Sequence, residues 1–158
     1  MKITLRRKNI YLIVFFYSIA AILSAIYIEN ILGYLPCKLC LYQRIPFIFS
    51  IFFCFLGYYY FKSDKILVYL ILLFSISFII AGYHFGIENG FFEEFGGCIA
   101  NNLEIISKKE LLESLTINIS CKDAIFKIFG VSLSGWNTFI SLLIVIISLR
   151  ILFYEKNK

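Results

Sequence analysis

Four long apolar stretches limit what this chain can fold into. They cover about residues 10–28, 45–61, 66–83 and 136–153, and Arg150 is the one charged residue within them. An α-helix needs about 20 apolar residues to cross a hydrocarbon core that is about 30 Å thick. The sequence therefore predicts an all-α membrane protein, an antiparallel four-helix transmembrane bundle. We expect a single membrane domain over residues 1–158, with outer loops at about 29–44 and 84–135.

The amino-acid composition excludes two broad classes of function. Hydrophobic residues make up 61% of the chain and charged residues 16%, which is far from the usage of soluble domains. A soluble enzyme of this size could not bury 18 Phe and 11 Tyr without exposing large apolar patches. The basic residues lie at the ends of apolar runs and are not clustered with aromatic residues, so nucleic-acid binding is not expected.

The distribution of Lys and Arg predicts how the helices are oriented, because short cytoplasmic segments retain basic residues. With both termini in the cytoplasm, those segments carry nine of the fifteen basic residues, namely Lys2, Arg6, Arg7, Lys8, Lys62, Lys65, Arg150, Lys156 and Lys158. The two longer loops hold the other six and eight of the ten acids, so we expect both loops to face outward. The first span is longer than the apolar core of a signal peptide and is expected to be a retained helix.

The cysteines divide by position. Cys37 and Cys40 lie in the first outer loop, Cys98 and Cys121 in the second, and Cys54 near the middle of the second span. Four cysteines allow three connectivities, and the C-x-x-C spacing favours a pair of Cys37 with Cys40, which leaves Cys98 with Cys121. Closing so short a ring constrains the unfolded chain little, so a redox role is favoured for the first pair. The second pair could instead brace its long loop.

Other interpretations of the cysteines are weaker. One C-x-x-C is compatible with zinc, but the second pair is separated by 22 residues and the chain has a single histidine, so no metal is expected. Cys54, between two phenylalanines, is expected to be an apolar packing residue. A membrane protein whose disulfides only brace its loops stays an alternative to an enzyme. A conduit that carries reducing equivalents outward is disfavoured, because it needs cysteines that are reachable from the cytoplasm.

Two polar residues near the membrane boundary are candidate binding residues. Arg44 follows Cys40 by four residues, so the two share a helical face if the second span begins near Cys40. Its guanidinium could stabilise a Cys40 thiolate or bind a quinone carbonyl, although an anchor against lipid headgroups is the commoner role. His84, at the end of the third span, could supply a proton or be structural. Glu88 is as readily a solvated acid.

Two segments of the second outer loop are expected to lie on the membrane surface. Residues 108–119 have apolar residues at helical spacing beside charged ones. Residues 125–129, just before the fourth span, are rich in Ile and Phe. Such segments would keep Cys121 close to the bilayer and to the C-x-x-C pair.

Several motifs together give the chain a resemblance to a known family. They are Cys37-Lys-Leu-Cys-Leu-Tyr-Gln-Arg44 followed by Pro46, Tyr83-His-Phe-Gly-Ile-Glu88, Cys98, Cys121, and Phe129-Gly-Val-Ser-Leu-Ser-Gly-Trp-Asn137 before the fourth span. This combination resembles disulfide bond formation protein B (DsbB), the inner-membrane quinone reductase that reoxidises the periplasmic oxidant DsbA. The resemblance covers essentially the whole chain.

The resemblance implies a direction of electron flow. A DsbA-like periplasmic dithiol protein would attack the Cys98–Cys121 disulfide at Cys98, and Cys37 and Cys40 would reoxidise that pair. Cys40 would pass the electrons to ubiquinone or menaquinone held near Arg44 and His84. Residues 91–95 combine three Phe with two Glu and depart from the pattern of relatives, so the surface that faces the partner is expected to differ.

Overall fold

The computed structural model describes residues 7–34, 36–60, 64–94, 121–122 and 126–156. These residues form four helices and a two-stranded hairpin: α1 Arg7–Asn30, α2 Lys38–Tyr59, α3 Asp64–Glu88, β1 Lys127–Ile128, β2 Val131–Ser132 and α4 Leu133–Lys156. Each helix is long and apolar enough to cross a membrane. This confirms the predicted four-helix membrane fold. Cys98 and the segment 108–119 lie outside the described residues.

The helices extend beyond the apolar stretches that predicted them. Helix α2 begins at Lys38, seven residues before the predicted span, and α3 continues to Glu88. Counting only the run of uncharged residues underestimates the length of a membrane helix, because charged residues at its ends can reach the interface or form ion pairs. As a consequence Cys40 and Arg44 lie in the first two turns of α2, and His84 lies within α3.

The order of packing follows the order of the chain. Helix α1 packs against α2, α2 against α3 and α3 against α4. Arg44 of α2 binds Glu29 near the end of α1, and Lys8 at the start of α1 lies over the Tyr58 ring at the end of α2. These contacts at opposite ends make α1 and α2 antiparallel. Among the described residues, α1 and α4 make little contact with each other.

The core lies where the helices approach most closely. Its buried members are Ile10, Tyr11, Val14, Phe47, Cys54, Leu67, Leu70, Phe74, Ile144 and Ile151. Gly57 permits the close approach of α1 and α2, because a Cβ atom there would lie 2.8 Å from the Tyr11 ring. Large apolar side chains such as Phe16 and Ile79 are exposed, as expected for surfaces that face lipid.

A short hairpin leads into α4. Strands β1 and β2 are antiparallel and are joined by Phe129 and Gly130, which both have positive φ, 52° and 80°, as in a type I′ turn. The Trp136 Nε1–H donates a hydrogen bond to the Ile128 carbonyl at 3.1 Å. Part of the segment 125–129, expected to lie on the membrane surface, is therefore a β-strand, because the turn residues allow Lys127–Ile128 to pair with Val131–Ser132.

Candidate functional site

The C-x-x-C pair is built into the start of α2. Cys37 is the N-cap residue, and its sulfur accepts a hydrogen bond from the Cys40 backbone N–H at 3.3 Å. The two sulfur atoms lie 2.9 Å apart, within hydrogen-bond distance, and the Cys40 thiol is the donor between them when Cys37 is a thiolate. Both cysteines are free thiols. The helix N-terminus thus directs two donors at one sulfur atom, an arrangement that favours a thiolate.

Cys37 is the acidic member of the pair. The hydrogen bond from the Cys40 thiol, helped by His84 and by the Cys40 backbone N–H, lowers the pKa of Cys37 to about 4, although burial acts in the opposite direction. Cys37 is only 5% exposed. At neutral pH it is therefore a buried thiolate that hydrogen bonds hold in place, ready to act as a nucleophile or as a leaving group.

His84 connects the C-x-x-C pair to α3. Its Nε2 lies 3.6 Å from the Cys37 sulfur and 3.6 Å from Oε1 of Glu88, and the Cys121 backbone is another hydrogen-bond partner of the ring. The Glu88 side chain is only 7% exposed and accepts a hydrogen bond from the Ser134 hydroxyl. Glu88 is thus not a solvated acid in this fold, because the start of α4 covers it.

Cys121 meets the C-x-x-C pair in the folded chain. It is disulfide-bonded and 1% exposed, and it packs in a buried cluster with Cys37 and Ile87. The sulfur atoms of Cys37 and Cys121 and a ring nitrogen of His84 all lie within 4.8 Å of one another. A sulfur atom of each predicted cysteine pair is therefore close to the other pair, as thiol–disulfide exchange requires.

The same three atoms have the spacing of a possible metal site. Zinc binds cysteine as a thiolate, and Cys121 has no thiolate while it is in a disulfide. In the state described here the arrangement fits exchange of a disulfide better than coordination of a metal.

A cavity of about 360 Å³ opens beside these sulfur atoms, between α1 and the ends of the other helices that lie near Cys37. Small residues of α1, Ala20, Ala21 and Ala25, make room for it. Its polar and aromatic lining includes Cys37, Cys40, Arg44, His84, Glu88 and Trp136. An apolar wall with a few convergent polar groups is typical of a site for a small, largely apolar ligand.

Arg44 has an ion-pair partner that sequence reasoning did not identify. Its Nη1 donates to Glu29 of α1 at 2.7 Å, and the two side chains are 22% and 31% exposed. Arg44 and Cys40 line the same cavity, so the predicted closeness on one helical face is present. The direct role of Arg44 toward a thiolate or a ligand stays a prediction.

Sequence reasoning also missed Gln43 and Asn137. The amide nitrogen of Gln43 lies 2.9 Å from Nδ1 of His84, and its Oε1 accepts from Nδ2 of Asn137 at 2.9 Å. Both side chains are buried. A signal was present, because Gln43 shares the spacing of Phe47, Ser50 and Cys54, the face of α2 that is buried. A polar residue in such a stripe needs a polar partner.

Comparison with known proteins finds a matching family and similar proteins. The family model described as disulfide bond formation protein DsbB matches residues 7–151. The uncharacterized protein RP370 of Rickettsia prowazekii (strain Madrid E) is 30% identical over an alignment of 158 positions, which includes 96% of this chain and 91% of that protein. The SPbeta prophage-derived disulfide bond formation protein B of Bacillus subtilis (strain 168) is 35% identical over 81 residues, 51% of this chain and 54% of that protein. The family match extends from the first helix into the fourth.

Proposed function

Because this chain belongs to the DsbB family of disulfide bond formation proteins, we propose that it is a thiol oxidase that passes electrons from a DsbA-like protein to a membrane quinone. The family gives this multi-pass membrane protein a role in disulfide bond formation, as a disulfide oxidoreductase. The proposal adds the two substrates, the order of the cysteines, and the bacterial inner membrane as the location.

One juxtaposition carries the proposal. The Cys37 thiolate lies within 4.8 Å of the sulfur of Cys121, and Cys121 is held in a disulfide. A thiolate that close to a disulfide sulfur can exchange with it after a small movement. Cys37, Cys40 and Cys54 are free thiols, which supports Cys98 as the partner of Cys121. Two disulfides that only braced loops would have no need of a buried, acidic thiol between them.

The proposed reaction moves one electron pair through two dithiol–disulfide exchanges, and each exchange consists of two displacements at sulfur. A thiolate of the reduced partner attacks Cys98, breaks the Cys98–Cys121 bond and releases the Cys121 thiolate. The second thiol of the partner then displaces Cys98, so the partner leaves as a disulfide. The Cys121 thiolate attacks Cys37 of an oxidised C-x-x-C pair and releases Cys40. Attack of Cys98 on Cys121 restores the second disulfide and leaves Cys37 and Cys40 carrying the two electrons.

The cavity supports a quinone as the final acceptor. Its apolar wall from α1 suits a flat lipid-soluble ring, the N–H donors of Arg44 can bind a ring carbonyl, and His84 lines the same cavity. When bound there, ubiquinone or menaquinone supplies an acceptor for two electrons and two protons. Cys40 shares the cavity with these donors and is the cysteine we expect to pass the electrons on. Cys37 is buried and Cys40 is partly buried, which limits the access of water to that step.

The proposed orientation has both termini in the cytoplasm and the cysteine site in the periplasm. Arg7 and Lys8 lie at the end of the bundle opposite to Cys37, where Arg7 pairs with Asp64 at 2.6 Å. This concentration of basic residues away from the site agrees with the positive-inside rule. It supports an outer face that a soluble periplasmic partner can reach.

The experiment that tests the function is alkylation of free thiols in membranes with and without quinone. Removal of quinone should leave Cys37 and Cys40 reduced, while the same cysteines stay oxidised when quinone is present. Cys40→Ser should abolish quinone reduction, and Cys98→Ser should abolish reaction with the protein partner while the C-x-x-C pair still reacts with quinone. Cys54→Ser, which changes a buried packing residue, is the control for the loss of a thiol.

Two results would contradict the proposal. Full turnover in Cys40→Ser or Cys98→Ser would show that the order of the relay is wrong. Oxidation of all four outer cysteines, whether or not quinone is present, would favour the alternative in which the disulfides only stabilise the loops.

A further inference from the structure

A row of buried polar side chains leads from the middle of α4 to the reactive sulfur. The Ser141 hydroxyl donates to Oδ1 of Asn137 at 3.0 Å, and the Ser77 hydroxyl approaches the same oxygen at 3.4 Å. Asn137 then bonds to Gln43, and Gln43 to His84. Ser77 and Ser141 are fully buried, and Gln43, His84 and Asn137 are at most 8% exposed.

The placement of the two amide groups gives these hydrogen bonds their direction. An amide group has an oxygen that accepts and a nitrogen that donates. In the structure Oδ1 of Asn137 lies beside the two serine hydroxyls, which can donate to it, and Nδ2 of Asn137 donates to the Gln43 oxygen. The Gln43 nitrogen therefore faces Nδ1 of His84, and an amide nitrogen can only donate a hydrogen bond. A neutral imidazole has one N–H and one bare nitrogen, so a bare Nδ1 leaves the proton on Nε2.

We propose that Gln43 is a positioning residue that fixes the Nε2-protonated tautomer of His84 and so points the single ring N–H toward the Cys37 sulfur and the Glu88 carboxylate, which both lie 3.6 Å from Nε2. The groups that face this ring are Cys37 and Cys40 of α2, Glu88 of α3 and the disulfide-bonded Cys121. None of the buried amides and serines in the row titrates, so the row keeps its direction when these neighbours change charge.

The fixed proton matters because the ring is then a donor before the thiolate forms. For the electron relay proposed above, on which this consequence rests, Cys37 becomes a thiolate each time the second disulfide is restored. A donor that is already in place avoids the cost of turning the ring at that moment. The position of the proton itself depends on Gln43 and Asn137 and does not depend on the substrates.

The single histidine of the chain allows a direct test. Full-length protein that is labelled with ¹⁵N only at histidine gives ring nitrogen signals from His84 alone. We would record them in detergent micelles at pH 8.5, with both cysteine pairs oxidised. Wild type should give one neutral form with the proton on Nε2. A proton on Nδ1, in a neutral or a charged ring, would overturn the inference.

Variants separate positioning from simple packing. Gln43→Leu should remove the constraint and give a mixture of the two neutral tautomers. Gln43→Glu offers Nδ1 an acceptor and should place a proton there. Ser50→Ala, which removes a buried hydroxyl from the same face of α2, is the matched control and should leave the signals as in wild type. An unchanged tautomer in folded Gln43→Leu and Gln43→Glu would refute a positioning role.

The wild-type spectrum decides the matter even if both Gln43 variants fail to fold. Neither quinone nor a protein partner is present in these samples. Failure of the tautomer prediction is therefore distinguishable from failure of the proposed electron relay, which the alkylation experiment measures separately.

Discussion

The acidity of Cys37 gives the sharpest prediction, because the hydrogen bonds that cause it come from residues that can be replaced one at a time. The pKa of Cys37 is about 4, against 9.0 for an ordinary thiol, and the hydrogen bond with the Cys40 thiol is the largest single cause. We expect the pH midpoint for alkylation of Cys37 to be lowest in wild type. It should be intermediate in His84→Phe and highest in Cys40→Ala, where burial still disfavours the thiolate.

The rate of alkylation at one pH would not reveal this difference. At pH 7 a thiol with a pKa of 9.0 is about 1% thiolate, so an acidic Cys37 has about a hundredfold more of the reactive form. The logarithm of the rate constant of a thiolate falls by about 0.4–0.5 for each unit by which its pKa falls. Between a pKa of 9.0 and a pKa of about 4, the thiolate therefore reacts about a hundredfold more slowly, or somewhat more than that. The two effects nearly cancel. The midpoint, and not the speed, is therefore the quantity to measure.

The assay is timed alkylation over pH 3–10, with the peptide that contains Cys37 quantified by mass spectrometry. A background with both Cys98→Ser and Cys121→Ser prevents exchange with the second pair. Because the folded pKa lies below the unfolded one, the contacts of the thiolate contribute stability in full above about pH 9 and lose it as the pH falls toward 4. A wild-type midpoint near 9, or equal midpoints in all three proteins, would refute the assignment of Cys37 as the stabilised thiolate.

Three further substitutions test other parts of the structure. Gly57→Ala should destabilise the protein by about 1–3 kcal/mol in mixed-micelle unfolding, because the new methyl group meets the Tyr11 ring. Glu29→Gln should raise the quinone KM by up to about fivefold without changing kcat, because a partly exposed ion pair that orients Arg44 is worth at most about 1 kcal/mol. Phe129→Asn should stabilise the hairpin by about 0.5–1 kcal/mol, since Asn tolerates positive φ; tryptophan fluorescence during heating would measure it.

Hydropathy and charge were sufficient to predict the membrane fold, and the C-x-x-C spacing indicated the candidate redox centre. These signals are local to one helix or one loop. The pairing of Arg44 with Glu29 could not be predicted, because it depends on how far α1 and α2 slide past each other. The contact of Gln43 with His84 could not be predicted either. A polar residue on a buried face indicates that it has a polar partner, but it does not indicate which residue the partner is.

Glu88 and the hairpin illustrate a second kind of limit. A charged residue next to an apolar span usually indicates the end of a membrane helix. Helix α3 nevertheless extends to Glu88, because the Ser134 hydroxyl binds the Glu88 carboxylate. The Phe129–Gly130 turn was hidden in an apolar segment, because phenylalanine is an unusual residue at positive φ. Tertiary contacts in both cases outweigh the local preference.

The slight contact between α1 and α4 has a kinetic consequence for the proposed reaction. Separating these two helices exposes less packed surface than separating any adjacent pair along the chain, for the residues that the structure describes. A lipid-soluble molecule can therefore enter and leave from the side of the bilayer, whereas the proposed protein partner, whose thiolate attacks Cys98, comes from the water. The two substrates then use different entrances, so neither should inhibit the binding of the other. Because the cysteines hold the electron pair between the two proposed half-reactions, the steady-state kinetics should be ping-pong.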